Sequence, residues 1–178
     1  MIFNTKKRDI TSRLVPLILS AGIIILDQVA KLIVIATIPK GGGIKVIGDF
    51  FRIIHVQNPA IAFSIGRTIA AGPRRTLFIF LPLIVIALLF LYYLFTRDPL
   101  TRFQKWCFGA LVGGGLGNYV DRIFRPAGVV DFLDFKFYGI FGLERWPTFN
   151  VADMTLVITG LLLFISFLIP ARPSEEKT

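Results

Sequence analysis

The sequence predicts an all-α membrane protein with four transmembrane helices and a small β-strand-rich extracytoplasmic subdomain. Of its 178 residues, 54% are hydrophobic and 17% are charged, whereas a soluble domain is about 45–50% apolar and about 25% charged. The apolar residues fall in long runs, which suit a lipid solvent better than water. This composition excludes a disordered chain, and the single cysteine, Cys107, excludes a disulfide scaffold. We predict one integral membrane domain over residues 1–178.

Four runs are apolar enough to cross the hydrocarbon core, for which a helix needs roughly 17–25 residues. The first run carries Asp27, Gln28 and Lys31, the second is uncharged, the third is rich in glycine, and the fourth is uncharged after Asp153. The third run approaches the required length if Lys105 lies at the interface, because lysine can snorkel to the headgroups. The predicted spans are residues 14–38, 77–95, 103–120 and 151–170.

The formal net charge is +9, and the basic residues flank the apolar runs, where membrane proteins keep them. Because no nucleic-acid-binding motif accompanies this charge, we expect no nucleic acid partner. Four spans place both termini on one side, and the first helix usually dominates orientation. Cytoplasmic termini are predicted by Lys6, Lys7, Arg8 and Arg13 before the first span.

The connections 39–76 and 121–150 then lie on the outer face. Long ordered connections tend to carry function. Residues 44–58 are rich in β-branched and aromatic side chains, which predict one or two short strands.

Asp27 and Lys31 lie inside an apolar run, where each charge costs at least about 2.5–3.5 kcal/mol on insertion scales. They are spaced i,i+4 on one helical face with the acid first, which is the favourable order for an ion pair. The spacing predicts either a buried pair that docks the helix against a neighbour, or a proton or ion relay.

The third run carries glycines at i, i+4 and i+8, namely Gly109, Gly113 and Gly117. Small residues on one stripe let another helix backbone approach closely. We expect this stripe to hold the outer end of the helix in place.

Three polar residues follow, where the third span meets the outer face. Arg122 can form two parallel hydrogen bonds with a carboxylate, so it either neutralises Asp121 or a neighbouring acid, or binds a substrate. Asn118 either donates to a carbonyl group or caps the end of the helix. The residues alone leave these roles open.

Two carboxylates lie near the ends of the second outer connection. Asp131 stands among large apolar residues, which desolvate an acid and raise its pKa, although Asp134 has similar neighbours. Asp153 opens the fourth span three residues after Asn150, as in a capping box. Because antiparallel helices joined by one connection bring their ends together, we expect Asp131 and Asp153 to lie at one level.

Two carboxylates within a few ångströms share one proton, as in aspartic proteases. The ionised acid takes a proton from water, and the protonated acid donates to a substrate carbonyl. The single histidine, His55, excludes a multi-histidine zinc site, and we expect Cys107 to be an inert buried thiol. A dyad of Lys31 with Ser20 or Ser64 stays open.

Two functions of other classes also stay open on the residues alone. A small transporter or proton channel would use Asp27, Lys31 and Asp153 as a relay, and would tolerate the loss of Asp131. A membrane assembly subunit would use the glycine stripe to bind a partner helix.

Five blocks, in their order and spacing, resemble bacterial lipoprotein signal peptidase, also called signal peptidase II. The resemblance covers nearly the whole chain, and the last three blocks together are highly specific. The blocks are Asp27…Lys31, Asn58-Pro59-Ala60-Ile61-Ala62-Phe63-Ser64, Gly117-Asn118…Asp121-Arg122, Val129-Val130-Asp131-Phe132 and Phe149-Asn150-Val151-Ala152-Asp153.

The resemblance implies an intramembrane aspartic endopeptidase that removes signal peptides from prolipoproteins, cutting before a cysteine that already carries diacylglycerol. It implies that Asp131 and Asp153 are catalytic. By the same resemblance the substrate-binding residues are Asn58, Asn118 and Arg122, and the mainly structural polar residues are Asp27, Lys31 and Asp121, together with the helix cap Asn150.

The resemblance also implies a multi-pass protein of the bacterial cytoplasmic (inner) membrane, with both termini cytoplasmic and the active site toward the extracytoplasmic face. We expect a monomer that uses no metal or other cofactor and whose partners are lipid-modified prolipoproteins and membrane lipids. One block departs from the family's usual Asn-x-Gly-Ala-Ala-Phe, because Ala60 and Ile61 add bulk near the substrate.

Overall fold

The computed structural model describes residues 10–59, 71–96 and 98–169. Within these ranges the chain forms five α-helices and one three-stranded antiparallel sheet. In chain order the elements are α1 (Ile10–Leu14), α2 (Leu17–Thr37), β1 (Gly43–Ile47), β2 (Phe51–Asn58), α3 (Ala71–Phe95), α4 (Arg102–Phe124), β3 (Val129–Phe135), a 3-10 turn (Ile140–Gly142) and α5 (Val151–Leu168).

The helices follow the predicted apolar runs, but their ends differ. The first run is divided before α2, where Pro16 precedes the first helical residue, a position that tolerates proline because no N–H is needed there. Helix α4 begins at a capping box formed by Thr101 and Gln104 and continues to Phe124. Asp121 and Arg122, which follow the predicted span end at residue 120, therefore belong to the helix, and Asp121 contacts Lys31 of α2 and the Val130 N–H of β3.

The other helix ends differ for a simpler reason. Helix α3 begins at Ala71, six residues before the predicted start of the span at 77, and α5 ends at Leu168, two residues before the predicted 170. A helix is not obliged to begin or end where the apolar run does, since its backbone hydrogen bonds continue into polar sequence.

Helix α4 lies at the centre and packs against α2, α3 and α5. Its glycines make this packing close, as predicted. A Cβ atom at Gly109 would lie 2.4 Å from the Pro16 carbonyl oxygen, and one at Gly113 would lie 2.8 Å from the Ser20 Cα atom. These distances leave no room for a methyl group, so the glycine stripe forms the contact with α2.

The sheet has the strand order β1-β2-β3, with both neighbouring pairs antiparallel. The prediction of one or two strands over residues 44–58 is confirmed by β1 and β2. Strand β3, which carries Asp131, was not predicted. Its register against β2 shifts between Ile53 and Val56, and Asp131 lies opposite Val56.

Two buried clusters hold the helices together. The cluster beneath the sheet joins α2 to β3 and contains Val34, Ile38, Val130 and Phe132. The second joins α3, α4 and α5 and contains Tyr93, Cys107, Phe108 and Leu163. The first cluster joins α2 and β3, two of the elements that carry the polar groups described below, while others of these polar groups lie on α4 and at the start of α5.

Large apolar side chains remain exposed along the helices, among them Ile18, Leu88 and Val157. In the described part of the chain, two segments are long and apolar enough to cross a membrane, Ser12–Thr37 and Val151–Leu168, and α3 has a shorter apolar segment, Ile79–Phe95. Length and composition thus support two of the four predicted spans. Helix α4 differs from these because glycine and polar residues make up much of it.

Candidate active site

Asp131 and Asp153 come from different elements and lie close enough that both contact Asn150. Asp131 is buried in β3, and Asp153 lies in the first turn of α5. Strand β3 follows the end of α4, and a backbone contact between Phe149 and Leu133 holds the start of α5 beside it. The fold therefore brings the two acids together across the connection that separates them in sequence.

Asn150 contacts both carboxylates. Its backbone N–H donates to Asp153 Oδ2 at 3.2 Å, while its side-chain oxygen accepts from the Asp153 backbone N–H at 2.9 Å, which completes the predicted capping box. The side-chain amide nitrogen donates to Asp131 Oδ1 at 2.8 Å. A single, fully buried residue thus fixes the relative positions of the two acids.

Asn118 links this pair to α2. Its amide nitrogen donates to Asp153 Oδ1 at 2.7 Å, and its oxygen accepts from Asn150 Nδ2 and from Lys31 Nζ, each at 3.0 Å. The resemblance implied a substrate-binding role for Asn118. In the structure both polar atoms of the Asn118 side chain are engaged within the protein, the nitrogen with Asp153 and the oxygen with Asn150 and Lys31.

Lys31 lies beneath Asn118 and is fully buried. Its ammonium group contacts Asp27 Oδ2 at 2.8 Å, Asp121 Oδ2 at 2.9 Å and Asn118 Oδ1 at 3.0 Å. Since an ammonium group has three donors, these three acceptors satisfy it. The predicted ion pair of Asp27 and Lys31 is present, and its geometry favours the structural interpretation over a relay.

Asp27 also fixes the start of α5, because its Oδ1 accepts from the Ala152 backbone N–H at 3.0 Å. This contact requires the close approach of α4: a Cβ atom at Gly117 would lie 3.0 Å from Asp27 Oδ2 and 3.2 Å from Ala152 Cβ. The glycine stripe, the ion pair and the helix carrying Asp153 are thereby connected.

Two residues of this cluster were missed from the sequence. Arg125 forms a salt bridge with Asp121, and Gln28 donates to Asp121 Oδ1 at 3.0 Å and to the Gly117 carbonyl at 2.9 Å. Asp121 and Arg125 are spaced i,i+4 at the end of α4, which is a signal the sequence does contain. Of the acids suggested as partners of Arg122, Asp121 is paired instead with Arg125 and Lys31, while the neighbouring acids Asp153 and Asp131 attract the Arg122 charge.

The Asp131 carboxylate is buried and accepts hydrogen bonds from two side-chain amides. Asn150 and Asn58 each donate to its carboxylate, the latter at 3.1 Å to Oδ2. Burial raises the pKa of Asp131 to about 7, the negative charge of Asp153 adds to this rise, and the two amide bonds partly offset it. Asp131 is therefore suited to hold or release a proton near neutral pH.

Asp134 has apolar sequence neighbours like those of Asp131, but in the structure the two side chains have different partners. Asp134 Oδ2 accepts from Arg52 at 2.7 Å and from Arg145 at 2.8 Å. Asp134 thus pairs with two arginines and joins β2 to the returning hairpin, whereas the side-chain hydrogen bonds to Asp131 come from the amides of Asn58 and Asn150.

Arg122 is partly buried near both acids. Desolvation opposes its charge, while Asp153 and Asp131 attract it electrostatically. Among the described residues it has neither a hydrogen bond nor a salt bridge within contact distance. It is a cation held near the acids without a direct partner in this part of the chain, which is the arrangement expected of a group that binds another molecule.

The remaining candidates have other roles or lie outside the described residues. Ser20 donates to the Gly109 carbonyl at 2.5 Å, so with Lys31 engaged elsewhere it forms no dyad. His55 Nδ1 contacts the Ile38 carbonyl at 2.8 Å, and Cys107 is buried. Ala60, Ile61 and Ser64 lie outside the described ranges. Among the described residues there is no cluster of three or more potential metal ligands.

Comparisons with known proteins show which family the chain resembles. Residues 19–169 match the family model for signal peptidase (SPase) II. The chain is 44% identical over 170 residues to the lipoprotein signal peptidase of Treponema pallidum (strain Nichols), covering 92% of this chain and 91% of the relative. It is 44% identical over 146 residues to the lipoprotein signal peptidase of Borrelia hermsii (strain HS1 / DAH), covering 82% of this chain and 84% of the relative.

The fold is similar to that of solved bacterial membrane enzymes. One such structure superposes with a TM-score of 0.73 at 28% sequence identity, covering 92% of this chain and 93% of the other. A second gives the same TM-score at 29% identity, covering 88% and 94% of the two chains. The arrangement of helices and sheet is therefore shared with enzymes that work in membranes.

Proposed function

The chain belongs to the signal peptidase II family, and on that premise we propose that Asp131 and Asp153 are its catalytic pair. The family membership makes the chain a membrane peptidase that removes signal peptides from prolipoproteins. The observation that supports the assignment of the pair is that Asn150 contacts both carboxylates, one through its side chain and one through its backbone.

The proposed reaction uses one proton shared by the two acids and one water molecule between them. The ionised carboxylate removes a proton from the water as the water oxygen bonds to the scissile carbonyl carbon. The protonated carboxyl group donates its proton to the carbonyl oxygen, which gives a tetrahedral diol. The C–N bond then breaks as a proton passes to the leaving nitrogen, and the acids return to their first state. Because the pair titrates as a unit, either acid can hold the proton at rest.

The proposed substrate is a precursor whose cysteine carries diacylglycerol, cut immediately before that cysteine. Two hydrogen-bond donors close to the buried acids support this substrate. Arg122 lies near the acids without a described partner, and Asn58 extends from β2 toward Asp131. We assign Arg122 and Asn58 to binding the peptide backbone at the cleavage site, with Asn118 holding Asp153.

The proposed setting is a bacterial cytoplasmic (inner) membrane crossed four times, by α2, α3, α4 and α5 in a single domain. Both termini lie in the cytoplasm, and the sheet and the acids lie on the outer side. Basic residues at the N-terminus support this orientation, and exposed apolar side chains on the helices support lipid contact. Because one chain supplies both acids, the proposed enzyme acts as a monomer, and its acid–base chemistry uses no metal or other cofactor.

The experiment is cleavage of a lipid-modified precursor by purified variants. We expect Asp131→Asn and Asp153→Asn each to lower the rate by at least about 10²–10⁴-fold, the typical contribution of general acid–base catalysis. The matched control is Asp134→Asn, a buried acid of the same strand whose amide still accepts hydrogen bonds from Arg52 and Arg145. It should cleave at the parental rate.

Circular dichroism and size-exclusion elution establish that each variant is folded. Full activity in either Asp131→Asn or Asp153→Asn would reject the pair. Loss of activity in all three variants alike would assign these acids to the structure rather than to the reaction.

A further inference from the structure

The chain between β3 and α5 forms a hairpin whose end exposes large apolar side chains. Tyr138, Ile140 and Phe141, hereafter the aromatic tip, are 62%, 56% and 84% exposed. None of these residues belongs to the active site described above. Contiguous exposed apolar groups of this kind mark surfaces that contact something other than water.

The backbone at the aromatic tip favours glycine, yet aromatic residues occupy it. Tyr138 has a φ of 52° and Phe141 a φ of 55°, both in the left-handed region, as are Gly139 and Gly142 beside them. Non-glycine residues adopt this region at a cost. Since glycine at either position would remove that cost, the aromatic rings themselves must contribute something that a glycine lacks.

The hairpin holds the aromatic tip firmly. The Phe137 N–H donates to the Glu144 carbonyl at 2.9 Å, and the Gly139 N–H donates to the Leu143 carbonyl at 3.0 Å. At the base, the rings of Phe137 and Trp146 lie with centroids 5.0 Å apart. The tip is thus a shaped projection, already ordered before it meets a partner.

The charges behind the tip are balanced within the hairpin and the neighbouring β1–β2 turn. Lys136 contacts Asp49 at 2.9 Å and Glu144 at 3.4 Å, and Arg145 contacts Asp49 and Asp134, each at 2.8 Å. Because these cations are already paired with acids, the hairpin offers little attraction to a charged protein surface. Its free surface is apolar, with a tyrosine hydroxyl as its polar edge.

The hairpin is also tied closely to a membrane helix. Trp146 precedes the cap of α5 by four residues, a span of at most about 15 Å, and α5 is long and apolar enough to cross a membrane. Phe149, between them, donates to the Leu133 carbonyl at 3.2 Å and fixes the returning chain against β3. The base of the hairpin is therefore near the bilayer surface, and the exposed apolar face of α5 continues toward it.

We propose that the aromatic tip inserts into the boundary between headgroups and acyl chains of the outer leaflet. Tyrosine and other aromatic side chains favour that depth in membrane proteins, because their apolar rings and polar edges match it. The occupant of this surface is lipid, and the paired cations behind the tip lie at the headgroups. The contact sets the height of β3, and hence of Asp131, above the bilayer, a consequence that rests on the proposed function.

The test measures depth directly and does not require activity. Single cysteines replace Phe141, Ile140 or Glu144 in a Cys107→Ala background, and each carries a nitroxide label in the full chain. The protein is placed in nanodiscs of phosphatidylethanolamine and phosphatidylglycerol. Electron paramagnetic resonance then compares the accessibility of each label to oxygen, which partitions into lipid, and to a water-soluble nickel chelate.

We expect the labels at 141 and 140 to favour oxygen over the nickel chelate by severalfold relative to the label at 144. Glu144 is the matched control, since it is an exposed charged residue of the same hairpin. Tip labels no deeper than the Glu144→Cys label would overturn the proposal and would leave the tip facing water, where it contacts the precursor or another protein. Either result is independent of whether Asp131 and Asp153 are catalytic.

Discussion

Asn150 shows why an amide suits this site better than a charged group. Its nitrogen donates to Asp131, and its oxygen and backbone N–H bind the Asp153 residue. An amide orients a carboxylate without contributing a net charge, so it holds the two acids while leaving the proton free to move between them. An arginine there would hold the neighbouring acids ionised and would remove the proton donor that the reaction needs.

This role predicts a separation of activity from stability at Asn150. Asn150→Ser keeps a capping oxygen for the Asp153 N–H but loses the donor to Asp131, whereas Asn150→Ala loses both. We expect Asn150→Ala to lower the free energy of unfolding by about 0.5–2 kcal/mol and the serine variant to lose much less. Both should lower kcat, on the order of 10²-fold for a misplacement of about 1 Å.

Precursor cleavage and thermal unfolding in detergent measure these two quantities for each variant. Because the Asn150 bond lowers the pKa of Asp131, its loss should also move the alkaline limb of the pH–rate profile upward. A serine variant with the parental kcat and pH profile would show that Asn150 only caps α5.

At the scale of elements, the sequence predicted the long helices and the first two strands but not β3. Val129–Phe135 places apolar side chains on both faces of the strand, so no alternation of apolar and polar residues marks it. Its pairing with β2 is a contact between residues more than 70 positions apart, which no local pattern contains. The strand position of Asp131 could therefore be learned only from the folded chain.

The polar cluster was also only partly predictable, because some of its contacts are local in sequence and others join distant residues. Asp27 and Lys31 are neighbours on one helix, so their spacing alone predicted the ion pair. Lys31 meets Asp121 and Asn118 only because the glycine stripe brings α4 against α2. The stripe predicted close packing, but not which polar residues would face one another across it.

The stripe makes a prediction about helix packing. In Gly109→Ala the added methyl group meets a backbone carbonyl of Pro16, which cannot move away as a side chain can. We expect a loss of about 1–3 kcal/mol, the usual cost of overpacking. Gly160→Ala in α5 is the matched control, because a Cβ atom there has no neighbour within 4 Å.

Alanine in place of an exposed helical glycine is neutral or stabilises by roughly 0.5–1 kcal/mol. The two variants should therefore move the midpoint of thermal unfolding in opposite directions, or Gly160→Ala should leave it unchanged. Equal midpoints for the Gly109 and Gly160 variants would contradict close packing of α2 on α4.

At the scale of the whole molecule, the charges that the described residues bring to this polar centre balance only with a shared proton. Asp27 and Asp121 are matched by Lys31 and Arg125, two negative charges against two positive ones. Arg122 adds one positive charge near Asp131 and Asp153. If both acids were ionised, one negative charge would remain uncompensated, and burial makes such a charge costly. One proton on the pair makes the whole polar centre neutral.

This balance requires helices and sheet together, since α2, α4, α5 and β3 each contribute at least one of the charges or their hydrogen-bond partners. The catalytic proton is thus a property of the assembled fold. It follows that activity should fall as pH rises through about 7, where Asp131 loses its proton, because the acid that donates to the carbonyl group is then absent.

The most direct test is a titration of Asp131 by ¹³C nuclear magnetic resonance in protein labelled at aspartate Cγ, with its signal assigned by its loss in Asp131→Asn. We predict a midpoint near pH 7, a fall in precursor cleavage over the same interval, and a lower midpoint in Asp153→Asn, because the Asp153 charge helps to raise the pKa of Asp131. An Asp131 carboxyl group that is fully ionised above pH of about 5, as an ordinary aspartate is, would contradict the shared proton.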